Sequence, residues 1–381
     1  MTSQQYFLGI DVGTTGCKAV LVDSTGNVAA TATHEYPLST PRPNWSEQDP
    51  EDWWAATVAS IKDVLNECNV GAGSVVAVGL TGQMHGATLL DSTGGVLRPA
   101  ILWNDQRTAD ECAEITRRVG AERVVQLTGN PVLTGFTAPK LMWVRRHEPE
   151  VFARIAAVLL PKDYVRFRLC GERHTDVSDA SGTSMFDVAD RRWSDEMIEA
   201  AGAKRSWLPE VSESPVVTAK ISADAARLTG LSEGTPIVAG AGDQAAQAVG
   251  AGIVKDGDVC VTIGTSGVVF AAGDRYRVEP GGRLHAFCHA VPGKWHLMGV
   301  MLSAGGCLRW VRDTLGEPEC SRAKSEGRDP YDVLTEVAAG APPGCEGLLF
   351  LPYLTGERTP HDDPNARGVF FGLTLRHTKA H

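Results

Sequence analysis

The sequence predicts an α/β fold arranged as two related domains, on three observations. Short apolar runs that read as strands alternate with helix-period segments over 381 residues, too many for one ordinary core. The opening pattern of strand, Gly-Thr turn and strand returns further on: Gly13-Thr14-Thr15-Gly16 aligns with Gly264-Thr265-Ser266-Gly267, and the turn aspartates Asp23 and Asp274 fall in register. Composition is that of a folded protein, 43% hydrophobic and 22% charged. The repeat sets the expected domains at 1–247 and 248–381; chance likeness of two Gly-rich hairpins is its rival.

The elements follow in order. Phe7–Ile10 and Ala19–Val22 are apolar runs around the first Gly-Thr turn, and Asp23-Ser24-Thr25-Gly26 closes the pair. Asp49 suits a helix N-cap, Pro50 the first helical position, and Trp54, Val58, Ile61 and Leu65 share one face of the helix that follows. Val75–Leu80 reads as a buried strand that delivers Thr81-Gly82-Gln83-Met84-His85-Gly86. Ala87–Leu90 and Ile101–Trp103 are two further strands about the Asp91–Gly95 turn. Thr108–Val119 and Thr137–His147 are helices, the second stopping before Pro149. Ile237–Ala241 is one apolar run that delivers Gly242-Asp243-Gln244, and Val259–Ile263 with Val268–Ala271 forms the second hairpin. Gly316–Tyr331, with Arg322, Lys324 and Arg328, reads as a solvated loop or short helix.

Several function classes are disfavoured. Thirty-six basic against forty-six acidic residues leave a net charge of −10 and no basic run, so neither nucleic acid nor an acidic membrane is an expected partner. The nine cysteines contain no CxxC pair, and Cys17, Cys68, Cys170, Cys260 and Cys307 sit singly in apolar contexts, as reduced thiols of a cytoplasmic protein do. The opening residues lack the basic stretch of a signal peptide, and Ile237–Val254 is broken as a membrane span by Asp243, Gln244 and Gln247.

Glycine-rich hairpin tips let backbone N–H groups converge on an anion, and their threonine and serine hydroxyls add donors. Neither tip is a Walker A loop or a GxGxxG turn, and each could be only a hairpin. In the alignment Asp11 stands opposite Thr262 and Lys18 opposite Val269, so only the first loop has a carboxylate for a water-bound Mg²⁺ and a cation for phosphate. Asp243 ends an apolar run among small residues. It could cap a helix starting at Gln244, act as a base on a substrate hydroxyl, or do both. Gln83-Met84-His85-Gly86 leaves a strand end, where ligand loops of α/β sheets gather. Trp103-Asn104-Asp105-Gln106-Arg107 offers an aromatic face with donors and acceptors for a polyol, or merely a turn and helix cap. His285, Cys288 and His289 lack the second ligand pair that zinc requires.

With these residues in view, the chain resembles the FGGY carbohydrate kinases, and within them the branch that acts on D-xylulose. GIDVGTTGCKAVLVD, WSEQDPEDWW, GLTGQMHGATLLD, LWNDQRTADEC, TAPKLMWVRRHEP, PKDYVRFRLCGE, DASGTSMFD, VAGAGDQAAQAVGAG, VTIGTSGVV and GVFFGLTLRHTKAH match in order. The resemblance implies two ribonuclease H-like domains of the actin and hexokinase type around a cleft, with the second incomplete because the chain ends inside the last motif. It implies phosphorylation of the terminal 5-hydroxyl of D-xylulose by ATP with Mg²⁺. Asp243 matches the base, and Asp11 the carboxylate near the metal, with Asp243 reaching Mg²⁺ partly through water. Met84 and His85 match the sugar contacts, with Trp103, Asp105, Arg107 and Gln244 as further pocket residues. Thr14, Thr15 and Lys18 match the first phosphate loop; Gly264, Thr265 and Ser266 match the second, and Gly305 and Gly306 border the nucleotide. The expected partners are the sugar and MgATP, with a homodimer left open. A kinase for glycerol, ribulose or gluconate, or a sugar-binding protein without catalysis, are the alternatives.

Overall fold

The computed structural model describes residues 4–68, 71–361, 363 and 365–381. The chain forms two compact units: one runs to Asp258 and takes in Ala272–Leu297, the other comprises Val259–Ala271 and Met298–His381. Helices and strands are mixed in both units.

The first unit is organised by a seven-stranded sheet. Its order is Val217–Lys220, Pro236–Val238, Val75–Gly82, Tyr6–Val12, Gly16–Asp23, Val28–Glu35, and Ala241–Gly242 also pairs with Val75–Gly82. Tyr6–Val12 lies parallel to Val75–Gly82 and antiparallel to Gly16–Asp23. Every second residue of the opening pair (Leu8, Ile10, Val12; Cys17, Ala19, Leu21) is buried, as period-2 packing against one face requires. That face is covered by the helix Pro50–Glu67, whose Trp53, Ile61 and Val64 are fully enclosed. Burying each such side chain is worth about 2 kcal/mol over leaving it exposed. Asp49 caps this helix by accepting from Glu51 N at 2.9 Å. A second apolar cluster, containing Leu141, Trp143, Phe186 and Trp207, packs around the helix Thr137–His147.

The Ile237–Ala241 run is not one strand. Pro236–Val238 ends, the chain turns at Gly240 with φ of +89°, and Ala241–Gly242 resumes pairing. A Cβ on Gly240 would lie 2.4 Å from Leu80 O, so a larger residue would fit neither the space nor the left-handed backbone. The jog costs one residue of register: Ile237 pairs with Val78 and Ala241 with Thr81.

In the second unit Val259–Ile263 and Gly267–Gly273 form an antiparallel hairpin whose three-residue tip matches the first, 264–266 against 13–15. The segment expected to be a loop or short helix holds Glu317–Glu326, with Pro330–Ala338 following it. Pro318 in the first turn, acidic Glu317 and Glu319 beside the helix N-terminus, and an Arg322–Glu326 pair four residues apart stabilise it; Gly327, left-handed, ends it.

Candidate active site

Three parallel elements finish at one edge of the first unit's sheet. Asp11 pairs with Thr81, which pairs with Ala241; one step on, Val12 pairs with Gly82, which pairs with Gly242. The three segments that leave this edge are the loop 13–15, the turn Gln83-Met84-His85, and the helix Asp243–Gly250. Asp11, Met84, His85 and Asp243 therefore lie at or just beyond the strand ends where α/β sheets bind ligands.

Asp243 is the first residue of its helix and is half-buried, with Oδ1 accepting from Gln244 N at 2.7 Å. Burial pushes its carboxyl up to about 7; the Gln244 N–H works against this, and the charge of Asp11 adds to it. Asp11 is also raised by burial, with Lys18 opposing. Its Oδ1 is buried and has no hydrogen-bond partner among the described residues. Asp11 and Lys18 sit on the wall of an open cavity of about 420 Å³ whose other walls are mostly apolar; Met84, His85, Trp103 and Asp243 do not line it.

The first Gly-Thr loop is tied to the sugar-side candidates. Thr14 Oγ1 accepts from Trp103 Nε1 at 3.0 Å and donates to Gln83 Oε1 at 3.3 Å, so its hydroxyl proton is already engaged. Gln83 Nε2 donates to Gly13 O at 3.1 Å and Gln48 Oε1 at 3.0 Å, and Gln48 Nε2 donates to Thr14 O at 2.7 Å. Thr15 and Lys18 remain exposed.

His85 has φ of +70°, an uncommon conformation for a residue with a Cβ. Its Nδ1 lies 2.6 Å from Gly182 O. A carbonyl only accepts, so Nδ1 carries a proton and donates to it. The ring stacks on Phe136, centroids 4.3 Å apart. Met84 is buried against Gly242 and Gly182, where an added Cβ would meet it at 3.0–3.2 Å.

Asp105 and Arg107 are used inside the protein. Asp105 accepts from Ser46 N and from Arg107 N, Nε and Nη2. Arg107 also pairs with Glu47 at 2.7 Å and lies over the rings of Trp45 and Trp143. Ser46, Glu47, Trp45 and Trp143, remote in sequence, hold these charges.

Other groups were not singled out from sequence. Ser178 Oγ accepts from Gly242 N at 3.0 Å and donates to Asp176 Oδ2 at 2.5 Å, anchoring the residue before Asp243. Lys162, fully buried, is 3.2 Å from Asp176 and 2.5 Å from Asp163. Lys162 and Asp163 lie in a motif already quoted, PKDYVRFRLCGE, whereas Asp176 and Ser178 fall just before DASGTSMFD, in no motif singled out.

In the second unit the other tip meets the start of the helix Gly305–Leu315. Gly305 N donates to Gly264 O at 2.8 Å and Gly306 N to Thr265 O at 3.0 Å. Added Cβ atoms would lie 2.5 Å and 3.0 Å from those carbonyls, so glycine permits the contact. Gly264, Thr265, Gly305 and Gly306 thus form one local cluster, with Ser266 in the same tip. All nine cysteines are free thiols, and no group of three or more His, Cys, Asp or Glu able to hold a metal occurs among the described residues. Among these residues no helix is long and apolar enough to cross a membrane.

Residues 6–250 match the model of the FGGY family of carbohydrate kinases, N-terminal domain, and residues 259–381 match its C-terminal domain. The chain is 47% identical to the xylulose kinase of Escherichia coli (strain K12), over 97% of this chain and 73% of that protein. Among solved structures it resembles a xyloylose kinase from Brucella ovis, at 42% identity and a TM-score of 0.88 over 99% of this chain and 75% of that one. It also resembles the xylulose kinase of Rhodospirillum rubrum, at 35% identity and a TM-score of 0.90 over 99% and 74%.

Proposed function

The chain belongs to the FGGY family of carbohydrate kinases and is a sugar kinase, and from that premise we propose that it transfers the γ-phosphoryl group of ATP to the terminal 5-hydroxyl of D-xylulose, with Asp243 as general base. The names of its relatives support the choice of sugar. The role of Asp243 rests on one observation: a half-buried carboxylate, raised to about 7, starts a helix at the strand edge from which Met84 and His85 also emerge.

Phosphoryl transfer asks a protein mainly for positioning and charge neutralisation. The sugar is held by Met84 and by His85, whose Nε2 meets a hydroxyl; Trp103 and Gln244 line the same region. Asp105 and Arg107, paired with each other, belong to the same proposed sugar pocket. Asp243 takes the proton of the attacking hydroxyl as its oxygen bonds to phosphorus and the bond to the departing ADP breaks. A carboxyl raised to about 7 suits this task, since about half of it is ionised near neutral pH and the ionised form is basic enough to accept.

Asp11 fits a divalent cation, because its buried Oδ1 has no hydrogen-bond partner among the described residues, and Mg²⁺ takes one or two carboxylates with water and phosphate oxygens. Asp11 would hold it, with Asp243 partly through water. When bound, the ion neutralises charge on the transferring phosphate. Lys18, Thr15 and the backbone of loop 13–15 serve one phosphate-binding loop. Gly264, Thr265 and Ser266, with Gly305 and Gly306, serve the other. On this reading 1–247 carries the sugar and first loop, and 248–381 the second loop and nucleotide side, in a cytoplasmic enzyme.

An ADP-coupled assay with D-xylulose, D-ribulose, gluconate and glycerol tests the proposal. The highest kcat/KM belongs to D-xylulose. A higher value for another acceptor would reassign the substrate, and sugar binding without ADP formation would remove catalysis.

A further inference from the structure

Lys140 is a buried cation that the phosphoryl-transfer scheme does not use. It has no exposed surface and makes no ion pair among the described residues. Burial pulls its ammonium down to about 7, with Asp105 opposing. An ammonium without a counter-ion is costly to enclose, so what it holds is informative. Nζ donates to His85 O at 2.8 Å and to Gly135 O at 2.7 Å, and Thr137 Oγ1, on the same helix, donates to His85 O at 3.0 Å.

These two carbonyls belong to the two sides of one stack. His85 O precedes the turn at Gly86, and its own residue is in the left-handed conformation. Gly135 O is the carbonyl of the peptide that leads into Phe136, whose ring lies flat on the His85 imidazole at an interplanar angle of 12°. One ammonium therefore fixes both backbones. The opposite end of the imidazole is fixed by Gly182 O. Lys140, Thr137 and Gly182 thus all bear on where His85 Nε2 points.

We propose that Lys140 is a positioning residue for the sugar, holding His85 and Phe136 in register so that His85 Nε2 meets a substrate hydroxyl. The inference rests on the assignment of His85 to the sugar. Lys140 acts only through His85 and Phe136; Thr137 reinforces it on the same carbonyl.

The test compares Lys140→Met, Thr137→Val, His85→Ala and the Lys140→Met/His85→Ala double variant in steady-state kinetics with D-xylulose and MgATP. Lys140→Met removes charge-assisted hydrogen bonds and raises the sugar KM by roughly tenfold to a hundredfold; Thr137→Val removes one neutral bond and raises it roughly fivefold. The nucleotide KM stays at the wild-type value in both. Lys140→Met adds no further increase in the His85→Ala background, because the group it positions is gone. An unchanged sugar KM in either single variant, or an undiminished Lys140→Met effect without His85, overturns the proposal. If Lys140→Met does not fold, Thr137→Val, which keeps shape and volume, decides. Failure of the wild type to phosphorylate D-xylulose would instead count against the substrate assignment, and the same variants are then read with the acceptor that is turned over.

Discussion

Replacing Asp243 by asparagine removes one ionisation while keeping the shape and the acceptor for Gln244 N. The folded-state carboxyl is raised from 3.8 to about 7, so the native state binds this proton more tightly than the unfolded state. Below about pH 4 both states are protonated and no penalty exists. As pH rises the unfolded chain gives up the proton first, and the penalty on the native state grows until the folded group ionises near 7. Three units at 1.36 kcal/mol each set a ceiling of about 4 kcal/mol; for a half-buried group, solvent screening brings this to about 2 kcal/mol. Asp243→Asn is therefore more stable than wild type at pH 8 by about 2 kcal/mol, or a few degrees in Tm. That difference shrinks as pH falls and is gone once both states are protonated. Thermal or urea unfolding in EDTA, without nucleotide, at pH 5, 6.5 and 8 measures it. Equal or lower stability of the asparagine variant at every pH would refute the claim that burial raises this group.

Three other outcomes follow from the geometry. Asp11→Asn raises the Mg²⁺ concentration for half-maximal activity by at least roughly tenfold and leaves sugar affinity unchanged; an identical Mg²⁺ titration would detach Asp11 from the metal. Gly182→Ala puts a Cβ 2.6 Å from the His85 ring, and the displaced imidazole raises the sugar KM by roughly tenfold or more without changing the nucleotide KM; a wild-type sugar KM would contradict the stack described here. Gly305→Ala puts a Cβ 2.5 Å from Gly264 O and weakens nucleotide binding selectively, which titration with ATP and with sugar separates; equal weakening of both would count against the phosphate loop.

Much of this site could be read from local chemistry. The Gly-Thr hairpins, the Asp49 cap with Pro50, and the helix Thr137–His147 rest on neighbours within a few residues, and the structure has all of them. Asp243 was legible because a carboxylate closing an apolar run is rare; it is the first residue of the helix, with Gly242 in the cap position expected for Asp243, and burial raises its carboxyl. What stayed hidden depends on distant partners. Nothing in Trp103-Asn104-Asp105-Gln106-Arg107 says that Ser46 and Glu47 will consume its charges. The strand Val28–Glu35 is too polar and alanine-rich to stand out. The break at Gly240 is visible only against Leu80 O. Lys140 looks like a surface lysine until Ala138, Leu141, Met142 and Val144 around it prove buried.

The most direct trial is to pair turnover with binding in Asp243→Ala. ADP release with D-xylulose and MgATP should fall by a factor on the order of 10² to 10⁴, while calorimetry still detects the sugar and phosphorus NMR of the wild-type product finds the ester on the terminal carbon. Near-normal ADP release from this variant would remove Asp243 from the chemistry and, with it, the reason for siting the reaction at this strand edge.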